Sequence, residues 1–88
     1  MLEIVEGMVV VSTQGRDNGH LYIVKNVDNG YAYVVDGKQR TIQSPKKKKF
    51  KHLRPTGQII ESIQEKFRGN QKILDSEIRK TIDNLSII

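Results

Sequence analysis

Cysteine and tryptophan are absent from this 88-residue chain, proline occurs only twice, and the aromatics amount to two Phe and three Tyr. Without cysteine there is no disulfide and no thiolate metal site, which fits a reducing compartment and makes the cytoplasm the expected location. His20 and His52 have no cysteine beside them and no helical pairing with carboxylates, so no metal ligand set is expected and no cofactor is called for. The N-terminal stretch Met1 to Gly7 contains Glu3 and Glu6 and no basic residue, unlike a secretory signal. No apolar run approaches the roughly 20 residues that span a bilayer, so a soluble protein without membrane contact is expected.

Acid is also missing over a long internal stretch. Between Lys38 and Arg54 the chain has eight basic residues (Lys38, Arg40, Lys46, Lys47, Lys48, Lys49, Lys51, Arg54) and not one Asp or Glu. Residues 1–54 hold ten Lys/Arg against five Asp/Glu, and residues 55–88 hold five against five, so the first part carries the whole formal charge of +5. Such a local positive field raises the encounter rate with polyanions. Phe50 and Leu53 interrupt the run, which points to a folded, anchored edge rather than a disordered tail. A solvated loop that keeps the domain soluble is the bland alternative. The uncompensated charge favours nucleic-acid contact over it.

Length excludes a deep enzyme cleft, because a chain this short buries only about 60% of its unfolded surface. Met8 to Thr13 and His20 to Asp28 read as strands, joined by the loop Gln14-Gly15-Arg16-Asp17-Asn18-Gly19. Asn29-Gly30 marks a tight hairpin into a third strand, Tyr31 to Val35. Lys38 to Gln43 reads as a short polar fourth strand ended by Ser44-Pro45, and Phe50 to Leu53 as a fifth. Five short strands with tight turns predict a mainly β fold, a small closed or nearly closed barrel over residues 1–54. Apolar residues on both faces of the second and third strands leave the inward register open and call for a cover. Residues 55–88 supply it as two short helices. One uses Ile59, Ile60, Ile63 and Phe67 and stops at Gly69-Asn70; the other starts with Asp75 as N-cap and aligns Ile78, Ile82 and Leu85.

Two groups of residues carry chemistry. In the Gly15–Gly19 loop, glycines let backbone N–H groups approach a phosphate closely, and Arg16, Asn18 and His20 add side-chain donors; an ordinary Gly-rich turn is the competing account. In the lysine run, Lys46 to Lys49 with Lys51, His52 and Arg54 offer charge with no acid near in sequence. Tyr22, Tyr31 and Tyr33 can stack on bases or pack across strands, and packing is favoured for two of the three. Ser12, Asp17 and His20 lie close in sequence without forming a convincing catalytic set, and a non-enzymatic protein is expected.

These residues carry a resemblance. Glu6-Gly7-Met8-Val9-Val10-Val11-Ser12-Thr13-Gln14-Gly15-Arg16-Asp17-Asn18-Gly19 resembles a KOW motif with Gly19 as its defining glycine, and the likeness continues through Tyr22-Ile23-Val24, Val34-Val35-Asp36-Gly37, Lys38-Gln39-Arg40 and Lys51-His52-Leu53. Over residues 5–54 the chain is similar to the small KOW-domain RNA-binding proteins of Gram-positive bacteria, related to a large-subunit ribosomal protein of archaea and eukaryotes. The resemblance implies an SH3-like five-stranded barrel that binds RNA, ribosomal RNA above all, and takes part in translation. It places RNA contacts at Arg16, Asn18, Gly19 and His20, at Lys38 and Arg40, and along Lys46, Lys47, Lys48, Lys49, Lys51, His52 and Arg54. The alternative is a protein-interaction module that docks a polypeptide of the transcription or translation machinery, with Tyr22, Tyr31, Tyr33 and Asp36 as an aromatic cage. The helical segment is expected to cover the barrel, pair two copies, or meet a protein neighbour.

Overall fold

A computed structural model describes residues 3–85; the first two residues of the expected barrel segment and the last three of the helical segment lie outside it. The β-branched run after Gly7 forms β1 (Met8–Ser12), followed by β2 (Leu21–Asp28) and β3 (Tyr31–Val35). Asn29 and Gly30 connect β2 to β3 with φ of 49° and 81°, the pair of positive values that matches strand twist in a two-residue hairpin. These three strands lie where the sequence puts them, to within one residue at each end.

The fourth strand does not. Lys38 to Gln43 is a loop, because Asp36 captures it: the Asp36 carboxylate accepts the backbone N–H groups of Lys38 and Arg40, each at 2.9 Å, and the Asp36 N–H donates to the Arg40 carbonyl. The strand forms beyond Pro45, from the lysines themselves, as β4 (Lys46–Lys49). The residues read as a fifth strand make a single 3₁₀ turn, Phe50–His52, and β5 follows as Leu53–Ile59. Thus β5 runs across the break expected after Arg54. Pro55 is tolerated in it because β5 is an edge strand.

The five strands form one antiparallel sheet in the order β4-β3-β2-β1-β5. The sheet is not closed as a barrel; β4 and β5 are its two edges. It is nevertheless strongly curled. Three inter-strand steps of about 4.8 Å would separate β4 from β1 by about 14 Å in a flat sheet, yet the Lys48 ammonium reaches Ser12 at the end of β1.

Both faces are apolar. Inside the curl, Met8, Val10, Tyr22, Val24, Ala32, Val34 and Leu53 pack with Ile4. On the outside, Val9, Ile23 and Val35 pack against Ile63, Ile73 and Ile78. The outer partners belong to α1 (Glu61–Arg68) and to α2 (Asp75–Leu85) with the segment before it. The C-terminal segment is therefore the cover that the two-faced strands call for.

α1 is shorter than its apolar spacing predicts. Ile59 stays in β5, Ile60 takes the N-cap position, and Gly69-Asn70 ends the helix as expected. Asp75 does not cap α2: the first helical bonds run from the N–H groups of Glu77 and Ile78 to the Leu74 carbonyl, and the Asp75 carboxylate accepts the Ile42 N–H at 2.8 Å. That bond ties α2 to the Lys38–Gln43 loop. α2 also sits so close to Gly37 (φ 79°) that a Cβ there would lie 2.3 Å from the Asp75 carbonyl oxygen. At Gly7 a Cβ would lie 2.6 Å from the Cβ of Gln64 in α1. Both helices are seated on glycines that flank strands of the sheet.

Candidate nucleic-acid interface

Strand alternation divides the lysine run. Lys46 and Lys48 face Val34 and Ala32 across the pairing with β3 and so point into the curl; Lys47 and Lys49 face Tyr33 and Tyr31 and point outward. Lys48 has a side chain only 7% exposed, and its ammonium donates to the Ser12 hydroxyl, to the Gln14 carbonyl at 3.1 Å and to Asp17 Oδ1 at 3.0 Å. Lys46 donates to Asp17 Oδ2 at 3.1 Å. The acid missing near the run in sequence is thus supplied from the β1–β2 loop.

Asp17 is the hub of this network. Tyr22 donates to its Oδ2 at 2.7 Å, and Ser12 lies 2.8 Å from its Oδ1. Burial disfavours the charged carboxylate, but the hydrogen bonds from Tyr22, Lys48, Ser12 and Lys46 together outweigh it and hold the group well below the usual carboxylate range. The Tyr22 phenol is pushed the opposite way by its own burial, by the bond to Asp17, and by the charges of Asp17 and Asp36. The loop backbone is equally committed: the N–H groups of Gly19, Asn18 and His20 donate to the carbonyls of Ser12, Gly15 and Asp17. The glycine loop is therefore a rigid ledge with its acid turned inward, and the amides of Asn18, Gly19 and His20 are already used within the fold.

Asp36 organises the facing loop. Besides the two backbone N–H groups, it lies 2.8 Å from His20 Nε2. Burial opposes its ionisation, and the N–H groups of Arg40 and Lys38 together with His20 reverse that and lower its pKa. The His20 ring meets Tyr22 edge-on at 4.7 Å between centroids. The hydrogen bond of His20 goes to Asp36 and that of Ser12 to Asp17, so Ser12, Asp17 and His20 do not form a relay.

Between the two loops lies an open cleft of about 490 Å³ lined by Arg16, Asp17, His20, Tyr22, Lys38, Gln39, Arg40 and Lys46. It collects five of the residues expected to contact RNA: Arg16, His20, Lys38, Arg40 and Lys46. Arg16, Lys38 and Arg40 are exposed. Others lie elsewhere. Asn18 and Gly19 are exposed on the loop outside the cleft, with Gly19 on a neighbouring hollow beside Ile82 of α2. Lys47 and Lys49 are on the outer sheet face. Lys51 is exposed and His52 half-buried in the 3₁₀ turn, where the His52 carbonyl accepts the Thr13 N–H, and exposed Arg54 is the second residue of β5.

Sequence reasoning missed Asp17 as an organiser. Its signal was the even spacing Ser12, Asp17, Tyr22, which brackets the loop with the three groups that meet. The tyrosines also separate: Tyr22 is buried inside the curl, whereas Tyr31 and Tyr33 are half-buried on the outer face, so they do not build one cage with Asp36. Among the described residues no group of three His, Asp or Glu side chains is placed to hold a metal ion, and no helix is long and apolar enough to cross a membrane.

No protein-family model matches the chain, and no curated protein matches it.

Proposed function

We propose that the protein is a non-enzymatic RNA-binding domain that grips the phosphate backbone of structured RNA in the cleft between the Gly15–Gly19 and Asp36–Arg40 loops. The observation that carries this reading is the lining itself. Arg16, Lys38, Arg40 and Lys46 converge there, and the one acid among them, Asp17, turns its carboxylate to four protein donors. Two guanidiniums provide forks suited to phosphate, and both loops are held by internal hydrogen bonds, so little conformational freedom is lost on binding. Recognition of this kind reads backbone and shape rather than base sequence. The strand order, with the last strand returning beside the first, is compatible with the SH3-like arrangement that the KOW resemblance implies. Association with ribosomes rests on that resemblance, and a cytoplasmic setting on the absence of cysteine. The polypeptide-docking alternative loses its most specific form with the dispersed tyrosines.

The test is binding of a structured RNA by the wild type and by an R16Q/K38Q/R40Q variant over a range of salt. With Lys46 already paired to Asp17, three phosphate contacts from Arg16, Lys38 and Arg40 give a log–log slope of roughly −2 to −3. The variant should lose most of that slope and most of its affinity at low salt. Replacing all of Lys46 to Lys49 would be a poorer test, because Lys48 belongs to the fold. Salt-independent binding, or a variant that binds like the wild type, would reject the proposal.

A further inference from the structure

We infer a second contact surface, built from Tyr31, Tyr33, Lys47 and Lys49 on the outer face of the sheet, that stacks the unpaired bases of a single-stranded RNA segment. The inference rests on the reading of the chain as an RNA binder but concerns a different face and a different feature of the nucleic acid.

Alternation along β3 puts Tyr31 and Tyr33 on the same face, about 7 Å apart along the strand. The pairing with β4 puts Lys49 beside Tyr31 and Lys47 beside Tyr33. On the other flank, β2 contributes Asn26 beside Tyr33 and Asp28 beside Tyr31. The helices cover the Ile23 and Val35 end of this outer face. Neither tyrosine ring belongs to an apolar cluster. Half-buried rings of this kind keep part of their surface open to solvent.

The occupant follows from charge and shape. The Lys47 ammonium rests 4.4 Å from the centroid of the Tyr31 ring, so that ring face is reachable from solvent and attracts a partner that approaches it flat. A base stacked there would free Lys47 to meet the adjoining phosphate, and Lys49 is exposed one register step away. Two lysines against the single carboxylate of Asp28 leave the patch positive. Aromatic platforms flanked by cations are how proteins hold single strands without reading sequence. Paired bases inside a duplex cannot reach such rings. The tyrosine face therefore selects unpaired RNA, while the cleft on the opposite side of β4 takes phosphates of either form.

Absence of tryptophan makes the test direct, because tyrosine emission is visible in this chain. Full-length protein is titrated with an unstructured oligouridylate and, separately, with a GC-rich RNA duplex of equal length. Tyrosine quenching is expected with the single strand and not with the duplex. Tyr33→Leu should weaken oligouridylate binding about tenfold, while Tyr33→Phe retains it and duplex affinity changes by less than about twofold. Absence of quenching in the wild-type protein overturns the inference whatever the variants do, as does equal oligouridylate affinity for Tyr33→Leu and wild type. Binding of both RNAs without tyrosine quenching rejects this surface and leaves the cleft standing; binding of neither rejects both.

Discussion

Lys48 and Lys47 are neighbours of identical chemistry on one strand, and the fold uses them in opposite ways. Lys48 is a buried cation whose three donor bonds close the curl of the sheet between β4 and the end of β1. Lys47 is exposed, with its ammonium over the face of Tyr31. Lys46 and Lys49 repeat the pattern, one tied to Asp17 and one free on the surface. A count of basic residues therefore overstates the charge available to a polyanion. The inward pair also protects the fold, since charge pointing inward on an edge strand discourages edge-to-edge pairing with another sheet.

The sharpest way to break the inward half is to remove its acid. Asp17→Ala leaves Lys48 buried without a counter-charge and strips partners from Ser12, Tyr22 and Lys46. Losing one member of a buried pair costs about 3 kcal/mol or more. Lys48→Gln should cost less, about 2 kcal/mol, because Asp17 keeps its other donors. Chemical denaturation of both variants checks the order. If Asp17→Ala unfolds at the wild-type denaturant concentration, the inward half is not structural.

Much of the architecture was legible because ordinary signals mark it. Asn29-Gly30 fixed the central hairpin, β-branched runs gave β1 to β3, and apolar residues on both strand faces called for the helical cover. What escaped was hidden for physical reasons. Four identical residues show no alternation, so a lysine strand lacks the pattern by which strands are recognised; only its pairing with Ala32 and Val34 reveals an inside and an outside. β5 passes through Pro55-Thr56-Gly57, which reads as a turn, and survives because it is an edge strand. Of the site, the cleft residues Arg16, His20, Lys38, Arg40 and Lys46 were all picked out by charge and loop position. That they share one cleft, and that Lys48 does not, depends on Asp17, whose cationic partners lie 29 and 31 residues away.

The same comparison should appear as pH dependence. Asp17 and Asp36 both ionise more readily in the folded chain than in the unfolded one. Their contribution to stability is complete above the ordinary carboxylate value of about 4 and is lost as pH falls below it. Tyr22 runs the other way. Its raised pKa makes its contribution complete below about pH 10, with loss as pH climbs further. Urea midpoints measured across pH should therefore form a plateau with two falling limbs. Asp17→Asn should make the acid limb shallower, leaving the part due to Asp36, and Tyr22→Phe should flatten the alkaline limb. An unchanged acid limb in Asp17→Asn would show that the carboxylate at the hub is not what acid attacks.

The smallest effect on stability belongs to the outward pair. Lys47→Gln and Lys49→Gln remove one exposed contact with a ring and otherwise only solvated charge, so each should change stability by no more than about 0.5 kcal/mol. Their effect should fall on nucleic acid instead. With two single-strand phosphate contacts at about 0.7 each, the double variant should lower the salt slope for oligouridylate by about 1.4. Lys48→Gln should do the reverse: it loosens the fold and, in conditions where the variant remains folded, leaves that slope unchanged. Should the outward pair prove as costly to stability as Lys48, or Lys48 prove as important to the slope as the outward pair, strand alternation would not be what divides the work of these four lysines.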